Sequence, residues 1–382
     1  MVRVANRSAA PNPSAEGFRT VMVRASAETT SADEAPAASP FHSGESAVHA
    51  RVGVRERLEQ IGPRVLRSFM PEEHRELFAK LPMLVVGSLD AQRRPWASVL
   101  VARPGFIASP DERTLEVSAA PAHGDPLRAN LALGAPLGLL GIELATRRRN
   151  RANGTVTALR ADGGFDMRVE QSFGNCAQYI QARRPTFVAD SGAGSAAGDA
   201  SARSDASAAG AGARARCEPR APDEARTEGR VLSPRAAELV SRADTFFIAT
   251  AAANARGGAA RHGCDVSHRG GNPGFVRVER EEGGSSVLYW PDFRGNYFFN
   301  TLGNLVVNPC AGLLFMDFDS GAALLLTGRA EVIWDGPRVD AVAGAERMLR
   351  FATDAGVWVD AAAALRWSAP ERARQLAGTG PS

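Results

Sequence analysis

The amino-acid sequence predicts a mainly β protein with some helices (α+β), in which one small β-barrel unit occurs twice in tandem. Three observations support this class. Short apolar or alternating runs bounded by turn residues recur in two stretches, a helix-like segment precedes each stretch, and three short motifs repeat in the same order. A length of 382 residues also exceeds what one hydrophobic core usually supports, so two cores are expected.

The first stretch begins with residues 71–80 (PEEHRELFAK), which predict a helix because proline stands at its first position and acidic residues follow in its first turn. Six strand-like runs come after it. They occupy residues 83–89, 96–102, 114–118, 137–145, 154–160 and 165–171.

The second stretch shows the same order of elements. Ser233 and Pro234 predict the N-cap and the first position of a helix that ends near Arg242. A second helix is expected at residues 300–307. Strands are predicted at residues 245–250, 274–279, 286–290, 311–318, 323–326 and 329–334.

The duplication is visible in matched motifs. Ser98 leads S-x4-R-P-G-F-I, and Ser267 leads S-x4-N-P-G-F-V. An Asn-Leu pair at 130 and again at 304 precedes a proline-led apolar run, and a glycine at 154 and at 328 follows each run at nearly the same distance. One chain is therefore expected to supply both halves of a pseudo-twofold dimer, with a ligand cleft between the halves. Assembly of whole chains into a homodimer is left open.

Composition sets the expected domain boundaries. The Ala-, Ser- and Pro-rich start and the Gly-, Ala-, Ser- and Arg-rich middle lack periodic apolar patterns, which is typical of disordered segments. The predicted order is a disordered extension at 1–40, a first barrel at 41–188, a flexible linker at 189–231, a second barrel at 232–370 and a tail at 371–382.

Charge and apolar patterning exclude several classes of function. The net charge is +3 and no basic stripe is interleaved with aromatic residues, so a nucleic-acid partner is not expected. The dense basic cluster at 147–151 is interpreted as a solvated strand end. No apolar run reaches the roughly 18 residues of a membrane helix, so no membrane partner is expected.

Cysteine usage predicts a cytoplasmic protein with reduced thiols, because the four cysteines show no C-x-x-C spacing. The spacing of His262, Cys264 and His268 matches no standard zinc site, so no metal is expected. The sequence also lacks a G-x-S-x-G elbow and a P-loop, which disfavours hydrolase and nucleotide-hydrolysing activities.

Two polar segments of the second stretch suit an anion. Residues 265–276 (DVSHRGGNPGFV) place Arg269 beside glycines, whose backbone N–H groups can approach phosphate oxygens. Residues 294–301 (RGNYFFNT) then run into a predicted helix, whose N-terminal N–H groups attract an anion. The alternative is that both segments are glycine-rich turns with solvent-facing arginines.

These segments, with L-T-G-R-A-E-V at 326–332, resemble the FMN-domain signature of the pyridoxamine 5'-phosphate oxidase-like FMN-binding split barrels over about 243–334. In the first half, F-H-S-G-E at 41–45, R-P-W-A-S at 94–98 and S-F-G-N-C-A-Q-Y-I at 172–180 resemble two-barrel members of the same group. The resemblance implies two split β-barrel domains in tandem and FMN as the cofactor.

The resemblance also implies where FMN binds. Ser267 and Arg269 would contact phosphate or ribityl oxygens, and Val276 would offer its backbone to the flavin ring. Asn300 and Thr301 would close the phosphate pocket at the helix start. The full implied set of cofactor-binding residues is Ser267, Arg269, Val276, Arg294, Asn296, Asn300, Thr301 and, as a lesser candidate, Arg329.

The sequence departs from the family pattern at two points. True pyridoxamine phosphate oxidases carry Arg-Lys where Asn300 and Thr301 stand here, and their C-terminal substrate signature is missing, so that substrate is not expected. In the first copy the matching positions are Pro126 and Leu127, which predicts a degenerate phosphate site.

Three first-half features have two interpretations each. Trp96 either reaches the cleft or packs in the core, and core packing is the commoner role of a tryptophan. The segment at 172–179 either lines the cleft or does not, and Cys176 is either a substrate-facing thiol or an inert buried cysteine.

The predicted function is an FMN-dependent oxidoreductase that transfers two electrons at flavin N5 to a small substrate, with no catalytic side chain assigned. NADH, NADPH or a ferredoxin-reductase-like protein would be the redox partner. The alternative is a non-catalytic flavin- or haem-binding module or electron carrier that works with a separate reductase. A third possibility is an interaction scaffold that has lost its cofactor.

Overall fold

The computed structural model describes residues 39–188, 225–253, 255, 262–281, 283–360 and 362–381. The described chain is mainly β with some helices, which is consistent with the predicted split-barrel class. The helices are α1 Ser43–Arg51, α2 Arg55–Val65, α3 Glu72–Lys80, α4 Leu127–Asn130, α5 Pro234–Arg242, α6 Asn300–Val307 and α7 Pro337–Asp340. In the described part of the chain, 3₁₀ helices lie at Leu144–Thr146 and Arg374–Gly378. Among the described residues, no helix is both long and apolar enough to cross a membrane.

The strands fall into a first and a second series. The first series is β1 Met83–Leu89, β2 Pro95–Val101, β3 Ile107–Ala108, β4 Thr114–Val117, β5 Pro136–Glu143, β6 Arg148–Leu159, β7 Phe165–Gly174 and β8 Pro185–Phe187. The second series is β9 Arg226–Glu228, β10 Thr245–Ala251, β11 Cys264–Gly270, β12 Arg277–Arg280, β13 Ser286–Phe293, β14 Cys310–Met316, β15 Ala323–Ile333, β16 Val342–Ala343, β17 Ala345–Val359, β18 Leu365–Trp367 and β19 Gly380–Pro381.

Two large antiparallel sheets have the same strand order. The first sheet runs β2-β1-β5-β6-β7-β4-β3, and the second runs β11-β10-β14-β15-β17-β13-β12, with β9 added beside β17. Each member of the first order therefore has a counterpart at the same place in the second. The helices match as well, because α3 and α5 precede the first strands of the two sheets, and α4 and α6 precede β5 and β14.

The first strand of each sheet is buried on both faces, which explains its continuous apolar run. In β1, Leu84 and Val86 pack in the core of the first half, whereas Met83 and Val85 face the second half. In β10 the same alternation places Phe246 and Ile248 in the core of the second half and Phe247 and Ala249 between the halves. The strand period of two thus divides each run between two apolar layers.

Two glycines allow the halves to approach closely. A Cβ on Gly138 of β5 would stand 2.5 Å from the carbonyl oxygen of Cys264 in β11. A Cβ on Gly312 of β14 would stand 2.4 Å from the carbonyl oxygen of Pro95 in β2. Because β5 corresponds to β14 and β2 to β11, these two contacts are pseudo-symmetric, and each requires a residue without a side chain.

Several predicted elements differ from the observed ones. Strand β11 and the 15-residue strand β17 were not predicted, nor were α1 and α2. The two strands predicted at 323–326 and 329–334 are one strand, β15, whose register shifts between Thr327 and Gly328. A β-bulge at that point explains the apparent break in the pattern.

The predicted boundaries are tested only in part. Residues 1–38 of the predicted extension and residues 189–224 of the predicted linker lie outside the described residues. Part of the remaining linker is ordered, because β9 pairs with β17 through Glu228 and Gly356. In the tail, Glu371 forms a bridge with Ala182. The described residues from Ser39 onward form one compact unit, and the division into two domains stays a prediction.

Replacing Gly138 or Gly312 by alanine is expected to lower the free energy of unfolding by about 3 kcal/mol, because the new methyl group meets backbone atoms of the other half. Gly229→Ala is the matched control, since its Cβ would have no atom within 4 Å. Urea unfolding measures all three variants. Equal stability of Gly138→Ala and Gly229→Ala would contradict the close approach of the halves.

Candidate functional site

A polar cavity of about 110 Å³ lies where the two halves meet. The first half contributes residues of β5, of β6 and of the loop after β7. The second half contributes residues of β11, Phe275, the end of β13 with the segment after it, and the start of α6. The residues that carry its polar chemistry are Arg149, Arg151, Asn175, Cys176, Gln178, Tyr179, Ser267, His268, Arg269, Asp292, Asn296, Tyr297, Asn300 and Thr301.

Five of the eight predicted cofactor-binding residues line this cavity. They are Ser267, Arg269, Asn296, Asn300 and Thr301. The structure therefore brings together the two polar segments, which are separated by residues 277–293 in the sequence. Whether these residues hold a cofactor stays a prediction.

The other three predicted residues do not line the cavity. Val276 is 1% exposed and packs in the core of the second half. Arg294 is exposed, and its carbonyl accepts a hydrogen bond from the Tyr179 hydroxyl at 2.9 Å. Arg329 is an exposed residue of β15. Their side chains do not reach the cavity in this structure.

The start of α6 forms one end of the cavity. Its N-cap residue Phe299 adopts a left-handed conformation (φ 56°), and no side chain caps the helix. The first residues, Asn300, Thr301 and Leu302, line the cavity. The Thr301 hydroxyl donates to the Ser267 hydroxyl oxygen at 3.2 Å, which ties the helix start to β11. Uncapped N–H groups and two hydroxyl groups thus converge at a point suited to an anion.

Behind this end, the carboxylate of Asp265 joins the two halves. Its Oδ1 accepts hydrogen bonds from Arg151 Nη1 at 3.0 Å and from Asn153 Nδ2 at 2.6 Å, both on β6. Its Oδ2 accepts from Asn304 Nδ2 of α6 at 3.0 Å. Arg151 also donates to the Ser267 hydroxyl. The acid thereby fixes the cavity-lining Arg151 of the first half and Asn304 of α6 in the second half.

This contact corrects the interpretation of the basic cluster at 147–151. Arg151 is only 2% exposed, so the cluster is not a solvated strand end, although Arg148 does face solvent. Strand alternation places 149, 151 and 153 on one face and 148 on the other. That period of two was the signal that could have identified Arg149 and Arg151 as site residues.

The cavity carries more positive than negative charge. Arg149 donates from Nε to the Cys176 carbonyl at 2.7 Å, and within the described part of the chain it forms no ion pair with a carboxylate. Burial, together with the neighbouring Arg269 guanidinium, lowers the pKa of Arg149 to about 9. Burial also lowers the pKa of Arg269, against the effect of Asp292. An anion in the cavity would relieve this repulsion.

One carboxylate, Asp292, balances part of this charge. Its Oδ2 lies 3.0 Å from Arg347 Nε, and its Oδ1 lies 3.8 Å from Arg269 Nε. The acid is therefore shared between two guanidinium groups. His268 adds no charge, because burial and the nearby Arg149 hold its pKa well below the ordinary value.

The structure shows where the three first-half features with two interpretations lie. Trp96 packs between the halves, 5% exposed, and its Nε1 donates to Asp90 at 3.1 Å. Cys176 and Tyr179 do line the cavity, as the cleft interpretation of 172–179 expects. The thiol of Cys176 is half-buried, and the backbone of that residue positions Arg149.

The corresponding position in the first half is filled by the chain itself. Asn130 donates to Ser88 at 2.9 Å, as its counterpart Asn304 donates to Thr250 at 3.1 Å. The Asp125 carboxylate accepts from the Ser98 hydroxyl at 2.6 Å and from the Leu127 N–H at 2.8 Å. Ser98 and Leu127 correspond to Ser267 and Thr301. A built-in carboxylate thus stands at the start of α4, which is a physical reason to expect no ligand phosphate there.

Comparisons with known proteins give no family. No family model and no curated protein matches the chain. Solved structures with some likeness include HupZ of Group A Streptococcus, at 12% identity over 32% of this chain and 90% of that one, with a TM-score of 0.25. A proposed pyridoxamine 5'-phosphate oxidase of Lactobacillus delbrueckii matches at 14% identity over 28% and 98%, with a TM-score of 0.21. A FAD-binding protein of Mesorhizobium loti matches at 12% over 35% and 98%, with a TM-score of 0.22. Similarities this low carry no argument about the function of this chain.

Replacing Arg151 by methionine is expected to lower the free energy of unfolding by about 3 kcal/mol, because the buried Asp265 carboxylate loses its cationic partner. Arg148→Met on the exposed face of the same strand is the control and should change stability by less than about 0.5 kcal/mol. Denaturant titration of both variants at pH 7 gives the difference. A stability loss of similar size in the two variants would argue against the Asp265 contact.

The stability contributed by Asp125 is expected to depend on pH. Burial raises its pKa from 3.8 to about 6, so its contribution is full below pH 4 and is lost as pH rises through about 6. Asp125→Asn keeps the hydrogen-bond acceptor but removes this titration. The variant should therefore gain roughly 2–3 kcal/mol relative to wild type between pH 4 and pH 7. Urea midpoints of both proteins at the two pH values measure the gain, and a pH-independent difference would refute the assignment.

Proposed function

We propose that the chain binds one FMN, with its phosphate at the start of α6, and acts as a flavin-dependent oxidoreductase on a small substrate. The observation that carries this proposal is the convergence of uncapped helix N–H groups, two hydroxyl groups and three guanidinium groups on one cavity. Such a donor set is typical of sites for a phosphate ester.

The residues present fit a phosphate in number and in charge. Ser267 and Thr301 supply hydroxyl groups, and Arg269 supplies a guanidinium group whose Nε is buried without a hydrogen-bond partner in the described chain. Arg149 adds a positive charge without a paired carboxylate. A phosphate dianion would balance this excess, whereas a neutral ligand would leave the guanidinium groups repelling one another.

Size limits what the enclosed part of the site can take. The cavity of about 110 Å³ is smaller than the roughly 300 Å³ at which pockets for whole small-molecule ligands begin. We therefore assign the phosphate end of FMN to the cavity. The rest of the molecule would extend past Gly295 and Asn296, which line the cavity and are exposed.

Bound FMN would supply two-electron transfer at its N5 atom. The protein's own residues would bind and orient it. Arg149, Arg151 and Arg269 would hold negative charge, and the aromatic pair Tyr179 and Phe293, with ring centroids 5.3 Å apart, would shield the cavity edge from water. No side chain of the cavity is required as a general acid or base in this account. NADH, NADPH or a separate ferredoxin-reductase-like protein would exchange electrons with the site.

The double variant Arg269→Ala/Asn300→Ala is expected to weaken FMN binding by at least about 100-fold, since it removes one charge-assisted contact and one polar contact. Arg329→Ala is the matched control, because Arg329 is an exposed arginine outside the cavity. FMN fluorescence quenching measures the dissociation constants, and circular dichroism verifies folding. Unchanged affinity in the folded double variant would show that the phosphate site is misplaced.

Turnover distinguishes the hypothesis of an enzyme from that of a non-catalytic electron carrier. Steady-state assays with NADH or NADPH and an electron acceptor are expected to show turnover by the FMN-loaded protein. Firm FMN binding without turnover would favour a carrier that depends on a separate reductase. A purified protein that is colourless and does not bind added FMN would refute both.

A further inference from the structure

The F-H-S-G-E segment at 41–45 has no role in the site described so far, although it lies directly against it. The segment begins α1 with a capping box, in which Glu45 Oε2 accepts from the His42 N–H at 3.0 Å and His42 Nδ1 accepts from the Gly44 N–H at 3.1 Å. Both side chains are almost fully buried, at 5% and 4% exposure. These bonds fix the direction of the Glu45 carboxyl group.

Helix α1 lies against the first turn of α6 at backbone distance. A Cβ on Gly44 would stand 2.1 Å from the Gly303 carbonyl oxygen, and a Cβ on Gly303 would stand 2.7 Å from the Glu45 backbone nitrogen. Each position therefore requires glycine, because a side chain there would clash with the backbone of the other helix. This contact holds Glu45 beside the residues that line the cavity.

Two asparagines of α6 are held from this side. Asn300 Nδ2 donates to Glu45 Oε1 at 2.6 Å, and His42 Nε2 donates to Asn304 Oδ1 at 3.0 Å. Asn300 lines the cavity, and Asn304 donates onward to Asp265. The N-terminal segment thus orients one side chain at the proposed anion position and another in the network behind it.

We propose that Glu45 is a positioning residue of the anion site, which orients Asn300 at the start of α6 and weakens anion binding there when it ionises. This inference rests on the proposed function insofar as FMN is the anion, but it applies to any phosphate bound at this helix start. A second negative charge near the first turn would compete with the ligand for the same helix end and the same guanidinium groups.

The surroundings of Glu45 make this ionisation accessible to experiment. Burial and the Asp265 carboxylate of β11 raise the pKa of Glu45 to about 8, against the opposing effects of Asn300 on α6 and Arg151 on β6. The nearby His42 stays neutral at both pH 7 and pH 9, because burial lowers its pKa. Glu45 is therefore mostly uncharged at pH 7 and mostly charged at pH 9.

Isothermal titration calorimetry with FMN and with inorganic phosphate, at pH 7 and pH 9, tests the proposal. For each ligand, the ratio of wild-type affinity to Glu45→Gln affinity is compared between the two pH values. The titration of the phosphate itself cancels in that ratio. The ratio is expected to fall about tenfold between pH 7 and pH 9 for both ligands. Glu56→Gln, an exposed acid on α2, is the control and should follow wild type at both pH values.

Riboflavin separates positioning from general destabilisation, because it lacks the phosphate. The ratio of wild-type to Glu45→Gln affinity for riboflavin should not change with pH, whereas a structural role of Glu45 would affect the binding of riboflavin and FMN alike. A second variant covers loss of folding. Glu45→Ala should weaken phosphate binding in the wild-type background by more than it does in an Asn300→Ala background, since Glu45 acts through Asn300.

Two results would overturn the inference. They are a pH-independent affinity ratio for the phosphate ligands and an equal effect of Glu45→Ala in both backgrounds. A protein that binds inorganic phosphate but not FMN would refute the proposed function. In that case, the pH dependence of the affinity ratio for inorganic phosphate still decides the role of Glu45. A wild-type protein that binds neither would overturn both.

Discussion

The buried carboxylate of Asp265 is the constraint on which the rest of the site depends. It lies at the junction of the halves and accepts hydrogen bonds from Arg151 and Asn153 on one side and Asn304 on the other. A carboxylate in this position is stable only when it is paired and fully hydrogen-bonded. Meeting that requirement orients Arg151, which also contacts Ser267, and it draws α6 toward the sheet. The geometry of the cavity thus follows from the hydrogen bonds that the buried Asp265 carboxylate requires.

The two halves share a scaffold and differ in charge. Equivalent glycines, Gly138 and Gly312, let each half approach the other, and equivalent asparagines anchor α4 and α6 to the first strand of each sheet. At the helix start, however, the first half carries its own carboxylate, Asp125, where in the second half no side chain caps the N–H groups of α6. Two sheets of the same strand order thus differ at the helix start, where the first half places its own carboxylate and the second half places none.

The sequence predicted the elements whose pattern is local. The strand at 83–89 and the helix at 300–307 have the predicted bounds, because one is a continuous apolar run and the other follows a polar turn. Helix α1 was missed, since S-G-E-S-A-V-H-A-R has no amphipathic pattern and depends on the contact with Gly303. Within the site, Ser267 and Thr301 could be proposed because their motifs resemble those of an FMN-binding family. Strand alternation could have placed Arg151 in the site, but its bond to Asp265 and the bond of Glu45 to Asn300 could not be proposed, because these partners lie more than 100 positions away.

A crystal structure of the protein with bound FMN tests the central claim most directly. The account predicts phosphate density at the start of α6, within hydrogen-bond distance of Ser267, Thr301 and Arg269, and no phosphate density at the start of α4, where Asp125 stands. Phosphate density away from α6, or at both helix starts, would contradict it.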